Sequence, residues 1–305
     1  MSRALNAPLV IQSVEQLRQW RHAVRMEGRS VGLVPTMGAL HEGHLNLVRA
    51  ARTACDIVVM SIYVNPTQFA PHEDLDTYPR TLPQDIALLS GPHGSRPLAD
   101  VVFTPRTSDI YPDGITTDRS QQRGAFVEVL GVSHQMEGGT RPHFFRGVAT
   151  IVTKLLNLVQ PDVAFFGQKD AQQCVVVRSL IRSLCLPVQM VVVPTTREAD
   201  GLAMSSRNRY LSAEEREAAC VFYAGLRAAQ TAFMAGERQR DKLLHLVQTE
   251  IEKAAPLVQL EYLSLAHPRT LDELDAVGES GAILSGAVKL PSTRLIDNLL
   301  LDCEL

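Results

Sequence analysis

From residue 31 to residue 193 the chain alternates short, unbroken apolar runs with stretches patterned for helices. Ile57–Val64 (IVVMSIYV) is the longest such run, joined by Val31–Val34, Val101–Phe103, Val163–Phe166 and Val188–Val193. A strand with one wet face alternates apolar and polar residues, whereas a continuous run needs cover on both faces, as in a parallel sheet. Between the runs, apolar residues recur three and four apart. They are Leu45, Leu47, Val48 and Ala51, then Pro83–Leu89, then Val148, Ile151, Val152, Leu155, Leu156 and Val159, and finally Gln172–Leu184. That spacing gathers them on one helix face. The alternation predicts βαβ units, and so an α/β fold with a doubly wound, mostly parallel sheet. A helix over Val14–Val24, with Gly28 just past its end, precedes the first strand. The polar segment Asp113–Gly124 reads as a mobile loop.

After Pro194 the pattern changes. Two alanine-rich amphipathic stretches, Ala213–Ala235 and Gln239–Ala254, precede strand-like runs at Leu257–Leu265, Gly281–Lys289 and Arg294–Leu301. Helices followed by strands predict a smaller α+β domain, with the boundary near Thr195: residues 1–195, then 196–305. A chain of 305 residues accommodates both.

Composition narrows the function. At 45% hydrophobic and 21% charged residues the chain is not of the disordered class. A formal net charge of −3 offers no global basic field for nucleic acid or an anionic membrane. No apolar run reaches the roughly 18–20 residues that a membrane helix needs. The opening MSRALNAPLV lacks the long apolar region of a secretory leader. The five cysteines (Cys55, Cys174, Cys185, Cys220 and Cys303) are scattered without a C-x-x-C pair, which suits reduced thiols. These features predict a cytoplasmic protein with neither a nucleic-acid nor a membrane partner.

The chemistry concentrates in PTMGALHEGH, Pro35 to His44. The motif follows the first strand and opens a helix, the place where doubly wound sheets bind ligands. Pro35 has no N–H and is expected to end strand pairing, while Gly38 and Gly43 clear space for close backbone approach. A helix N-terminus offers unpaired N–H groups and partial positive charge to an anion. Two imidazoles add donors able to follow charge as it develops on a phosphate chain. Two surface histidines or a metal pair are the alternatives, although neither H-E-x-x-H nor an obvious third ligand accompanies them.

PTMGALHEGH, SIYVNPTQF (61–69), YPRTLPQD (78–85), RPHFFRGV (141–148), FFGQKDAQQ (165–173), DGLAMSSRNRYL (200–211) and TRLIDN (293–298) together resemble, in order and spacing, the pantothenate synthetase family of the H-x-G-H nucleotidyltransferases. The resemblance implies a Rossmann-like domain that binds ATP and pantoate, followed by a small lid domain. It implies condensation of pantoate with β-alanine through a pantoyl adenylate, at the expense of ATP with Mg²⁺, in a homodimer. Carried over residue by residue, it places Met37, Gly38, Ala39, Leu40, His41, Glu42, Gly43 and His44 along ATP. Gly167, Gln168, Lys169, Asp170, Thr196, Met204, Ser205, Ser206 and Arg207 join them. His44, His41, Lys169, Ser205 and Arg207 take catalytic roles, and Asp170 holds magnesium or positions the nucleotide. Gln68, Gln173, Asn65 and Arg141 bind pantoate and β-alanine, with Tyr78 and Arg80 close by, and Pro66 ends the strand before Gln68. Gln168 and Ala171 stand where relatives often have Glu and an aromatic residue. Another nucleotidyltransferase of the superfamily would lack the Gln68 and Gln173 amides, and a catalytically dead scaffold would have lost His44, Lys169 or Arg207. His134 and His143 read as surface residues, and Gly91–Asp100 has no functional reading.

Overall fold

The protein was analysed as a computed structural model that describes residues 6–71, 73–92 and 95–305. Residues 1–5 of the opening segment, and residues 93 and 94 of the 91–100 loop, lie outside this description. In chain order the first elements are β1 (Leu9–Ile11), α1 (Val14–Met26), β2 (Val31–Thr36), α2 (Glu42–Ala54), β3 (Ile57–Ile62), α3 (Leu82–Leu89), β4 (Val101–Phe103) and α4 (Thr107–Ile110). Next come α5 (Glu137–Thr140), α6 (Phe144–Val159), β5 (Val163–Gly167), α7 (Ala171–Ser183) and β6 (Gln189–Val193). The last are α8 (Ala213–Ala218), α9 (Cys220–Met234), α10 (Arg240–Glu252), β7 (Gln259–Ala266), β8 (Ala282–Lys289) and β9 (Arg294–Leu301).

The chain divides into two compact units. The first runs through Ser133 and adds Gly138–Gly167 and Val176–Val193; the second comprises His134–Glu137, Gln168–Val175 and Pro194–Leu305. Strands β1 to β6 form one sheet in the order β1-β4-β3-β2-β5-β6, and every pair is parallel. Val34, Met60, Val102 and Phe165 pack with Leu45, Val48 and Ala51 of α2 on one face. Leu33 and Val59, one residue off, point to the other face and are equally buried. Both faces are covered, which is why these strands read as unbroken apolar runs. From β2 the sheet extends one way through β3 and β4 and the other way through β5, so β2 sits at the topological switch point.

The second unit carries the antiparallel sheet β7-β8-β9. Phe222, Leu226 and Phe233 of α9 and Leu243, Val247 and Ile251 of α10 share its core with Leu265, Leu284 and Val288. The two helices approach closely at Gly225, where a β-carbon would come within 2.9 Å of the Val247 carbonyl oxygen.

Several expectations require correction. Pro35 does not end β2, because it pairs with Ser61 and Thr36 pairs with Ile62. The Thr36 carbonyl accepts from Tyr63 on the β3 side. Pro35, one residue earlier, therefore turns its nitrogen to the β5 side, where pairing stops at Leu33. Conversely, β3 ends at Ile62, and Pro66 opens a separate 3₁₀ turn, Pro66–Gln68. The single helix expected over Ala213–Ala235 is two, joined at Ala219, whose φ of −59° and ψ of −23° keep the chain near helical geometry. The edge strand β1 has no counterpart among the predicted elements. Segment 113–124 holds a 3₁₀ turn, Arg119–Gln121, rather than a strand or α-helix. His134 and His143 are exposed, as expected.

Candidate active site

In the first unit the loop from Thr36 to His44 is shaped by a buried carboxylate. Asp85, on the first turn of α3 and 1% exposed, accepts from the Ala39 N–H at 3.1 Å and the Leu40 N–H at 2.9 Å, with Thr81 Oγ1 donating to it at 3.1 Å. These bonds hold Gly38 at φ +87° and Ala39 at φ +51°, left-handed values uncommon for a residue with a β-carbon. A β-carbon on Gly38 would meet Asp85 Oδ2 at 3.1 Å and Ile62 Cγ2 at 3.0 Å. The loop thus delivers His41 to the N-cap of α2. The His44 ring lies one turn on, with ring centres 4.1 Å apart. His44 Nδ1 accepts from the His41 N–H at 3.3 Å. That bond assigns the proton of a neutral His44 to Nε2, which makes this nitrogen a donor.

Gln68 is oriented by a buried, neutral network. Asn65 is fully buried, and its Nδ2 donates to Gln68 Oε1 at 3.1 Å and to the Gly147 carbonyl at 3.2 Å. Its Oδ1 accepts from Tyr111 Oη at 2.8 Å and Thr67 Oγ1 at 3.1 Å. All four hydrogen-bonding positions of the Asn65 amide are taken. Burial raises the Tyr111 hydroxyl pKa, which keeps it a donor. With Oε1 engaged, Gln68 Nε2 has no partner among the described residues. Arg141 gives Nε and Nη2 to Glu73 at 2.7 and 2.6 Å, and Nη2 also reaches the Gln68 carbonyl at 2.9 Å. In this structure Asn65 and Arg141 hold the Gln68 turn. Tyr78 is buried edge-on against Phe69, and the exposed Arg80 donates to the carbonyls of Leu75, Asp76 and Tyr78 within its own loop.

In the second unit a 3₁₀ turn, Gln168–Asp170, leads directly into α7. Lys169 is 3.9 Å from Asp170, the latter half exposed, and the Gln173 amide has no partner among the described residues. Asn298 Nδ2 donates to the carbonyls of Gln168 and Lys169, and the Gln168 amide donates to Asn298 Oδ1, a bond that an ionised glutamate could not make. Ala171 is buried. The Thr196 carbonyl accepts from the Met204 N–H at 3.0 Å. Ser205 Oγ caps the turn Ser206–Tyr210 by accepting from the Arg207 N–H at 3.2 Å. A further anchor surrounds Glu137, which is 6% exposed. It takes two bonds of 2.7 Å from Arg294 and one of 2.8 Å from Tyr262 Oη, while its N–H donates to Gln172 beside Gln173. Burial opposes the Arg294 charge, yet Glu137 and Glu261 outweigh it and raise its pKa. A bulge between Leu260 and Tyr262 breaks the strand alternation there, so neighbouring Glu261 and Tyr262 both serve this cluster.

Sequence reasoning singled out no role for Asp85, Tyr111, Glu73, Glu137, Arg197, Asp297 or Asn298. Three of them lie inside quoted motifs, and a carboxylate among the apolar positions of α3 is itself a signal. Their long-range partners, however, stand 45 to 157 residues away.

A family profile described as pantoate-beta-alanine ligase matches residues 9–300. Among curated relatives, the pantothenate synthetase of Herpetosiphon aurantiacus is 48% identical over 292 residues, covering 96% of this chain and 99% of the relative. That of Acidobacterium capsulatum is 47% identical over 306 residues, covering 99% and 97%. The crystal structure of pantothenate synthetase from Thermus thermophilus matches with a TM-score of 0.85 at 41% identity, over 95% of this chain and 98% of that one. A pantoate-beta-alanine ligase from Francisella tularensis, complexed with beta-gamma ATP and beta-alanine, matches with a TM-score of 0.75 at 31% identity, over 96% and 98%.

Proposed function

The chain belongs to the pantoate–β-alanine ligase family and is a pantothenate-forming ligase, and on that premise we propose how its residues divide the work. The pantoate carboxylate attacks the α-phosphorus of ATP, the bond to the β-phosphate oxygen breaks, and pyrophosphate leaves. The amine of β-alanine then attacks the acyl carbon, the carbon–oxygen bond to AMP breaks, and the amine loses a proton as the amide forms. A carboxylate resists an amine because of its resonance and charge; the adenylate supplies a leaving group.

The observation that carries the assignment is the loop at the carboxyl end of β2. There Asp85 holds the backbone and His44 carries its proton on Nε2 at a helix N-terminus. His44 and His41 donate to phosphate oxygens as charge builds there, with Met37 to Gly43 providing backbone contacts. Lys169 supplies a point charge to the phosphate chain. Gly167, Gln168 and Thr196 contact the nucleotide, while Met204, Ser205, Ser206 and Arg207 contact its triphosphate. Gln68 Nε2 and the Gln173 amide bind pantoate, whose carboxylate and hydroxyls suit amide partners, and Asn65 and Arg141 act by holding Gln68.

Among the described residues no group of three or more His, Cys, Asp or Glu is placed to hold a metal ion. Magnesium commonly uses one or two carboxylates plus substrate phosphates, so a half-exposed Asp170 beside the lysine fits that mode. Asp170 would hold the ion, and the ion would offset triphosphate charge. No helix among the described residues is long and apolar enough to cross a membrane. A cytoplasmic homodimer is the reading that composition and family resemblance favour.

The test is to incubate the protein with ATP, magnesium, pantoate and β-alanine. Pantothenate, AMP and pyrophosphate are expected in equal amounts; ADP and phosphate in their place would overturn the assignment.

A further inference from the structure

TRLIDN, at the end of the chain, takes no part in the chemistry above. Its last two residues, on β9, are among the most buried polar groups of the second unit: Asp297 is 5% exposed and Asn298 2%. Asn298 spends its whole side chain on the turn that carries Lys169. Nδ2 donates to the Gln168 carbonyl at 2.9 Å and to the Lys169 carbonyl at 2.9 Å, and Oδ1 accepts from Gln168 Nε2 at 3.3 Å. Asp297 secures Asn298 in turn, its Oδ1 accepting from the Asn298 N–H at 2.8 Å. The same carboxylate receives Arg197 Nη1 at 2.6 Å and Nη2 at 2.9 Å. Arg197 stacks on Tyr223, with its guanidinium carbon 3.8 Å from the ring centre, and donates to the Gly201 carbonyl at 3.1 Å. It also begins the pairing with Ala203 that leads into Met204–Arg207.

We propose that Asn298 is a positioning residue for the adenylation step. It fixes the peptide groups on both sides of Lys169 so that the ammonium group meets the phosphate chain, and Asp297 and Arg197 brace it. A 3₁₀ turn of three residues has little internal hydrogen bonding with which to hold a long lysine in place. Two donations from one rigid amide remove that freedom, and errors of about 1 Å in such placement can cost on the order of 10²-fold in rate. The inference rests on the reading that Lys169 meets the triphosphate.

The experiment uses the whole chain as wild type, Asn298→Ala, Asn298→Ser, Lys169→Ala and the Asn298→Ala/Lys169→Ala double variant. Pantoate-dependent pyrophosphate–ATP exchange is followed, ATP dissociation constants are measured by equilibrium dialysis, and thermal unfolding reports the fold. Asn298→Ala is expected to lower exchange kcat about 10- to 100-fold while KM for pantoate moves less than about twofold. Asn298→Ser should recover part of the loss, since a hydroxyl can still donate to one carbonyl. ATP binding should weaken in Asn298→Ala. On the Lys169→Ala background the same change should add less than about twofold, because residues acting through one group are not additive. Equal weakening on both backgrounds, an unchanged kcat, a rise confined to KM for pantoate, or failure of both Asn298 variants to fold would each overturn the positioning role. Absence of exchange in the wild type would strike the ligase reading instead.

Discussion

The two units hold their functional groups in place by different means. At the first unit's site the supports are mostly neutral or backbone-directed: Tyr111 and Thr67 on Asn65, Asn65 on Gln68, and Asp85 on two N–H groups. Arg141–Glu73 is the charged exception. The second unit relies on arginine–carboxylate pairs: Arg197–Asp297, Arg294–Glu137 and Arg216–Asp200. A neutral network can aim an amide at an anionic acid without a field that competes for it. Arginines already matched by carboxylates brace a segment while Lys169 stays only loosely paired at 3.9 Å, as its proposed role on the phosphate chain requires. The contrast predicts that the units fail differently when single groups are removed.

The largest effect on stability is expected in the second unit. Arg294→Met leaves Glu137 buried without its charge partner, and breaking such a pair typically costs about 3–5 kcal/mol. Urea unfolding should show that loss; a change below about 1 kcal/mol would void the contrast. Next comes His44→Ala in the first unit, where the ring is half-buried and accepts a 3.3 Å bond from the His41 N–H, while Asp85 holds the Ala39 and Leu40 N–H groups of the loop. Loss of one transition-state donor typically costs about 10²–10³ in rate. Steady-state kinetics should show this fall in kcat in a protein of near-normal stability, and normal turnover would remove His44 from the mechanism.

Tyr111→Phe should cost less, about 1 kcal/mol for one hydrogen bond, because Thr67 still donates to Asn65 Oδ1. KM for pantoate should rise as Gln68 loosens, and a stability loss as large as that of Arg294→Met would erase the distinction between the units. The smallest effect concerns Asp200, whose carboxyl is held down to about 2, chiefly by its hydrogen bond from Arg216. A folded pKa below the unfolded one stabilises the protein above the unfolded value and loses that contribution as pH falls through the folded value. The difference in Tm between wild type and Asp200→Asn should therefore shrink from about pH 4 to about pH 2. A constant difference across that window would mean that the pair contributes nothing.

Legibility in the sequence followed the physics of burial. The strand Val101–Phe103 matches its predicted bounds as an unbroken apolar run, and Arg294–Leu301 matches on its five apolar residues although Asp297 and Asn298 interrupt them. β1 is three residues long behind Pro8, with Val10 exposed, too little for any periodicity to register. The break at Ala219 falls where AEEREA meets CVFYAGLRAAQTAFM, with no glycine or proline at the junction to mark it. H-x-G-H, placed between strand and helix, is legible as a candidate anion site from local order alone. The supports are not, because Tyr111 is 46 residues from Asn65 and Asn298 is 129 from Lys169. Such contacts are decided by the tertiary fold: the sequence does not show that the Asn65 amide is engaged by Tyr111, Thr67, Gln68 and Gly147, or that Arg141 gives Nε and Nη2 to Glu73.

The central claim is that activation of pantoate precedes the amine and depends on Lys169. It is tested most directly by supplying labelled pyrophosphate, ATP, magnesium and pantoate without β-alanine and measuring label in ATP. Label should enter ATP, disappear when pantoate is left out, and fall strongly in a folded Lys169→Ala variant. Exchange that begins only after β-alanine is added would contradict the sequential adenylate mechanism.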